Sequence, residues 1–499
     1  MTVFAALSVA ATAALAAGCA SARPMGGAPR NEAAYGAYLR GLLLERSANF
    51  PEAIDAYRLA LEHDHRSALL HVRVGGAYVK LGQMDRALQS FSKALSLEPD
   101  QPDALRWVAM LHASQGELDR AVSAYERLRT IEPNDQFVLS TLADLYVLQG
   151  QLQQAIEIYQ ALIAEFGSNS QYHFNLGVLY GRLNRFGDAI EELSRAVERT
   201  PDSLEARVAL GLTYELGGRF LDAAQWYEEA TRLDPLNPRL HHHMARAYLA
   251  AKDYPQASAE YQAVLDLAPQ DLEAIMGLVR VWLAQHRHDE AARFLGRKLR
   301  ELDELPELYV ALGIVYREAK QAAEAMRAFE RATMLKSDYS QAHFYLAAQL
   351  DQLGRRSEAR QRLRRTIELD PHHPDAMNYL GYLDADEGVR LDEAKALIER
   401  ALALDPENGA YMDSLGWVHY KMGRFDEALV YLERAAQRLT TDPVIFDHLG
   451  EVYLKREDVE QARRSWQRAL ELNPEDAAIQ QKLERLNASD TVPAGHHDE

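Results

Sequence analysis

Along most of this chain, apolar and small residues recur at helical spacing in paired stretches, each pair joined by a turn. The pairing repeats every 34 residues. One alanine marks the beat: Ala53, Ala87, Ala121 and onward at the same interval to Ala359. One extra residue then intervenes, and the beat resumes at Ala394, Ala428 and Ala462. The sixth repeat shows the logic. Leu210, Gly211 and Tyr214 belong to its first helix, Ala223, Tyr227 and Ala230 to its second, and Pro235 closes it. Small side chains at Gly211 and Ala223 let the two backbones cross closely, with Tyr214 and Tyr227 filling either side. Proline cannot continue a helix, so Pro235 sets the next turn. Equivalent sets recur at Gly75, Ala87, Phe91 and Pro99, and at Gly450, Ala462, Trp466 and Pro474.

A 34-residue helix–turn–helix period with these positions resembles the tetratricopeptide repeat. The resemblance covers nearly the whole chain and implies an all-α fold: a right-handed superhelix (α-solenoid) of about 13 repeats. Such a chain grows by stacking units rather than by enlarging one core, which overrides the about three domains that 499 residues would otherwise suggest. The repeats are expected over residues 34–476. Residues 477–487, with Ile479, Leu483 and Leu486 on one face, are expected to form a capping helix, and 488–499 a disordered tail. Two repeats depart from the pattern. The eighth has Val279 and Lys298 where small residues are usual and Asp303 in place of proline, and the eleventh holds the extra residue within Asp384–Asp392.

The chain begins with a different signal. Residues 3–18 are almost wholly apolar or small and end Leu15-Ala-Ala-Gly18 before Cys19, which is the single cysteine. Sixteen residues are short for a membrane span, and the segment resembles the lipobox of bacterial lipoproteins, with Leu15 one step further out than that pattern prefers. The resemblance implies a signal peptide over 1–18, lipid attachment at Cys19 and a flexible tether over 19–33. Ala20 is not the aspartate that retains such proteins at the inner membrane, so the expected location is the outer membrane, facing the periplasm.

A single cysteine excludes internal disulfides and thiolate metal clusters, and its place at the expected signal-peptide cut argues against cysteine catalysis. The net charge of −19 weighs against nucleic acid, which needs a concentrated basic face. The locally basic run Arg355–Arg365 has helical spacing and is expected to be a solvated helix face. His241, His242 and His243 lie ~100° apart around a helix and cannot converge on one ion. His286-Arg-His288 and Pro371-His-His-Pro374 fall in turns. No phosphate loop, serine elbow or HExxH pair is present, so no catalytic residue, metal or cofactor is assigned.

Binding is therefore the expected function. In the family that the repeats resemble, the second, fifth, ninth, twelfth and thirteenth residues of each first helix line a concave groove. Those positions are apolar in repeats four to six, where Phe137, Val147, Leu148, Phe174, Val178, Leu212 and Leu216 fall. They are expected to turn basic and polar in repeats seven and eight, at His242, Arg246 and Arg280. They become aromatic again in repeats ten to twelve, at Phe344, Tyr379, Tyr382 and Trp417. No repeat carries at its fifth and ninth positions the Lys–Asn pair with which some members grip a C-terminal carboxylate; in repeat five those positions are Phe174 and Val178. Leu391-Asp-Glu-Ala394, Asp413-Ser-Leu-Gly-Trp417, Gly423-Arg-Phe-Asp-Glu-Ala-Leu429 and Asp447-His-Leu-Gly-Glu451 follow one another in the last repeats, a run that resembles the C-terminal repeats of large bacterial tetratricopeptide lipoproteins. That resemblance implies a scaffold for envelope proteins, either an adaptor for a periplasmic processing protease or a scaffold for exopolysaccharide export or pilus assembly. An enzyme assembled across repeats is the remote alternative.

Overall fold

Each 34-residue beat folds into two helices of about four turns, here called A and B, which run antiparallel wherever both lie in one compact unit. The structure, a computed structural model, describes residues 32–302 and 304–490. Among these residues every regular element is a helix: thirteen A–B pairs and one terminal helix. Signal cleavage and acylation at Cys19, the tether as far as residue 31, Asp303 and the tail beyond residue 490 lie outside the described residues. The chain divides into two compact units, the first ending at Asp253 and the second beginning at Tyr254. Each is described by itself below.

Repeat 6 pairs Leu204–Leu216 with Phe220–Leu233. Its A helix starts where Ser203 accepts from the Ala206 N–H at 3.1 Å, one of the otherwise unpaired first-turn donors. It ends at Gly218, whose φ of +74° is the left-handed turn that glycine takes without strain. The crossing is closed by an aromatic ring: a Cβ placed on Gly211 would lie 2.4 Å from Tyr227. Repeats 2 and 13 use the same device, with Gly75 against Phe91 and Gly450 against Trp466. Each such ring is removed from water, a burial that contributes roughly 1.5–3 kcal/mol. Phe91 and Tyr227 are fully buried.

Repeat 8 (Leu272–Ala284 with His288–Glu301) departs for a visible reason. Val279 is buried where Gly211 stands in repeat 6. Of the pairs whose two helices lie in one unit, this one approaches least closely. The small residue has moved two places earlier, to Gly277. It receives Tyr261 from the preceding B helix, whose ring lies 2.3 Å from where a Cβ on Gly277 would stand. Trp282 and Phe294 meet edge to face at 5.1 Å across the wider gap.

Repeat 11 (Pro374–Asp386 with Leu391–Leu404) absorbs the extra residue in its turn, where Gly388 and Arg390 both take positive φ, +69° and +48°. A left-handed arginine costs ~1 kcal/mol. It is held there by Asp384, whose buried carboxylate accepts from Arg390 Nε at 2.9 Å and from Arg360 Nε at 2.8 Å. This corrects the expectation of a solvated basic face. Arg355 and Arg365 do pair locally and in the open, but Arg360 is largely buried and Arg356 reaches Asp386 at 3.1 Å. The lengthened turn presents acids to the preceding B helix, which turns that helix's arginines inward.

The terminal helix, Ala477–Asp490, packs Ile479 and Leu486 on Trp466 of repeat 13. It runs three residues beyond the expected end at Asn487. Ala488, Ser489 and Asp490 contain no helix breaker, so nothing stops the helix at Asn487.

Candidate partner-binding groove

Residues at positions 2, 5, 9, 12 and 13 of each A helix share one face, because steps of three and four residues return to the same side of a helix. Burial then sorts the predicted residues into two kinds. In the first unit, Phe137, Val178 and Leu212 are 41%, 39% and 38% exposed, and Leu216 is 68% exposed. Their repeats fold without burying them. Phe174, one turn before Val178 on helix 5A (Ser170–Arg182), is half-buried. Val147 and Leu148 are a correction: both pack onto the core that spans repeats 3 to 5, because helix 4A (Gln136–Leu148) ends against it. Beside Phe137 lies an open concavity of about 780 Å³, lined also by Pro133, Ser140 and Phe166. Phe166, 40% exposed, was not singled out from sequence. Its signal was there: helix 4B (Leu152–Phe166) ends in Phe166-Gly167 where most repeats carry proline.

The expected basic stretch is corrected as well. His242 and Arg246 lie in the first unit and Arg280 in the second. Arg246 donates to Glu215 of repeat 6 at 2.5 Å, so its charge is matched. Glu215 also accepts from the Tyr227 hydroxyl at 2.8 Å, and burial together with that carboxylate pushes the phenol far above its usual range. The cause is geometric: residue 12 of one A helix lies beside residue 9 of the next. His242 is half-buried, and Arg280 is exposed with its Nε directed at the Met276 carbonyl one turn back, 3.4 Å away.

In the second unit the four aromatic residues are all half-buried; Tyr379 is a correction, since it is the sixth residue of its helix and not one of the groove positions, and Phe344, Tyr379 and Trp417 are tied into rows. Phe344 contacts His373 at 4.8 Å and Tyr379 at 6.5 Å between ring centres. The Tyr379 hydroxyl donates to Asp351 at 2.8 Å. Trp417 is stacked on His448 at 4.0 Å and on Tyr420 at 4.8 Å, with Lys421 Nζ 4.9 Å from its ring centre. His448 Nδ1 in turn lies 2.9 Å from Asp413, both buried. The Tyr382 phenol is pushed up to about 12, first by burial and then by Asp386 and Asp413. The structure therefore joins Phe344 to Tyr379 and brings Trp417 onto Tyr420 and His448, two partners that sequence reading missed because one sits in the following repeat.

Among the described residues, no His, Cys, Asp or Glu cluster is arranged to hold a metal ion. No helix among them is long and apolar enough to cross a membrane.

Comparison with known protein families gives a uniform result. Models of the tetratricopeptide repeat match residues 75–135, 140–203, 178–238 and 346–388, a second set matches 216–265, 248–312, 385–445 and 419–486, and a third matches 306–339. A search of curated proteins finds no match. Among solved structures, the Cut9–Hcn1 hetero-tetramer of the APC/C is similar at 15% identity, over 91% of this chain and 96% of that one, with a TM-score of 0.44. Yeast Tom70 is similar at 15% identity, over 90% and 99%, with a TM-score of 0.38. A thermophilic repeat protein of Thermus thermophilus is similar at 21% identity, over 37% and 99%, with a TM-score of 0.33.

Proposed function

Because the chain belongs to the tetratricopeptide repeat family, we propose that it is a non-enzymatic scaffold that holds other proteins along its A-helix faces, tied to the bacterial envelope by lipid on Cys19. The observation that carries this reading is the set of Phe137, Val178, Leu212 and Leu216, exposed on one face of three consecutive A helices. Large apolar side chains that their own repeats leave in water mark a partner surface. The anchor reading is supported by the apolar leader and the single cysteine at its end. Several acyl chains on that residue give stable attachment, at about 0.8 kcal/mol for each buried methylene.

The mechanism is avidity. Partners held side by side on one tethered chain meet at a high effective concentration without any new contact between them. The partners in this reading are a periplasmic processing protease and its substrates, brought together at the outer membrane. Replacing Phe174 and Leu212 with Asp places two charges on the apolar face, and capture of the partner by tagged protein should fall at least tenfold. Full retention of binding overturns the groove assignment. Co-purification with a polysaccharide export or pilus component instead of a protease would replace the proposed partner while keeping the scaffold. Cys19→Ser should move the protein from the membrane to the soluble fraction, and continued membrane retention overturns the anchor.

A further inference from the structure

Helix 1A (Glu32–Arg46) opens the first unit, and among the described residues no B helix precedes it. Every later A helix packs against the B helix of the repeat before it. One register shows the consequence. The tenth position of the A helix is buried in every later repeat, from Ala77 and Leu111 to Val418 and Val452. In phase with the 34-residue beat, the residue of helix 1A that corresponds to Ala77 is Leu43, and it is 67% exposed. Leu39 and Tyr35, one and two turns before it, are exposed as well. Spaced four residues apart, the three form one apolar stripe along the open side of the helix.

Arg40 decides what can cover this stripe. It stands in the register where every later repeat has valine, leucine or methionine, among them Val74, Leu142, Leu210 and Leu449, all buried. A helix stacked on 1A as B helices stack on the later A helices would bury the Arg40 guanidinium without a matching charge, which is strongly unfavourable. A lipid surface makes no such demand. There the stem of an arginine covers apolar surface while its guanidinium reaches the phosphates. Arg46, in the last turn, is exposed and does the same, and the ring and hydroxyl of Tyr35 suit the boundary between acyl chains and water. Of the helix's two carboxylates, Glu45 accepts from the Tyr57 hydroxyl of helix 1B (Phe50–His63) at 2.6 Å, and Glu32 stands at the first turn. An apolar stripe bordered by arginines is the pattern of a helix that lies in the plane of the bilayer interface.

The place of the helix in the chain agrees. Thirteen residue steps separate Glu32 from Cys19. Fully extended, they span at most about 45 Å, so helix 1A stays within reach of any membrane that holds Cys19.

We infer that helix 1A docks on the phospholipid surface that carries the Cys19 anchor, with Tyr35, Leu39 and Leu43 seated at the acyl chains and Arg40 and Arg46 at the phosphates. This deepens the scaffold reading and rests on its anchor: the lipid on Cys19 retains the chain, and helix 1A fixes which side of the first repeat meets the membrane.

The test uses the full chain, purified with its lipid and reconstituted on vesicles of mixed phosphatidylethanolamine and phosphatidylglycerol. An environment-sensitive fluorophore is attached through Leu43→Cys or, as the control, through Leu221→Cys on the exposed side of helix 6B. Lipids brominated on their acyl chains should quench the label at position 43 at least about twofold and leave that at position 221 unquenched. Leu39→Asp with Arg40→Asp should bring position 43 to the control level, while the chain still floats with the vesicles and its circular-dichroism melt is unchanged. Flotation without quenching at position 43, or equal quenching at both positions, overturns this inference and leaves the anchor standing. A photo-crosslinker on the same position that captures a second copy, or residues 1–18, in place of lipid also overturns it. A parent chain that does not float refutes the anchor, and this inference falls with it.

Discussion

Gly75 and Gly76 are neighbours in helix 2A (Ala68–Lys80) and face opposite situations. A Cβ on Gly75 would sit 2.5 Å from the Phe91 ring, whereas a Cβ on Gly76 has nothing within 4 Å. Both replacements by alanine gain the same helix propensity, about 1 kcal/mol. Gly76→Ala should therefore stabilise repeat 2 by up to about 1 kcal/mol. Gly75→Ala gains the same amount but must push a fully buried ring out of its place, an overpacking cost of about 1–3 kcal/mol. Its net effect is a loss of up to about 2 kcal/mol, so the two variants should differ by about 1–3 kcal/mol although they lie one residue apart. Repeat arrays need not unfold in one step, so the suitable assay is hydrogen exchange of residues 68–97 under native conditions, backed by urea unfolding. Gly76→Ala should slow exchange across both helices and Gly75→Ala should speed it. Equal effects would refute the reasoning that aromatic rings seated on missing side chains hold A and B together.

Three further outcomes follow from particular contacts. Asp384→Asn removes the buried charge that Arg360 and Arg390 share, and should destabilise repeats 10 and 11 by roughly 3 kcal/mol, measured by exchange of residues 356–404. Burial, then Arg362 and Arg365, hold the His343 imidazole below its ordinary value, although its contact with the Ser337 carbonyl works the other way. The folded state therefore takes up its proton at lower pH than the unfolded chain. The stabilisation is complete above about pH 6.5 and is lost as pH falls towards the folded value. The melting temperature should thus drop between pH 7 and 5, and less steeply in His343→Gln. In repeat 8, Val279→Gly removes the side chain that occupies the A–B crossing, and should speed exchange there through a cavity cost of about 2 kcal/mol or more. Unchanged protection would mean that the crossing is held open by something other than Val279.

The repeat was legible because its strictest requirement is steric and periodic. Gly211, Gly75 and Gly450 cannot carry a side chain without meeting a ring, so the same residue types return at the same interval. What escaped the sequence lies between repeats. Arg246 finds Glu215, and Arg360 finds Asp384, across separations of 31 and 24 residues. Long side chains reach over to the neighbouring repeat, and a reading that takes repeats one at a time leaves such charges unmatched. For the same reason Trp417 read as an open groove residue, while His448 of the next repeat covers one of its faces. Gly277 was missed because its ring, Tyr261, comes from the repeat before it. Phe137, Val178 and Leu212, by contrast, stand exposed on their A helices.

The most direct measurement places a photo-crosslinking amino acid at Leu212, on helix 6A, and separately at Leu221, on helix 6B of the same repeat, 38% and 60% exposed. Both sites are open, so accessibility does not favour the first. Irradiated in native membranes, position 212 should give a discrete crosslinked partner band, identifiable by mass spectrometry, and position 221 should give none. Crosslinking from position 221 alone, or from both equally, would contradict a scaffold that works through its A-helix face.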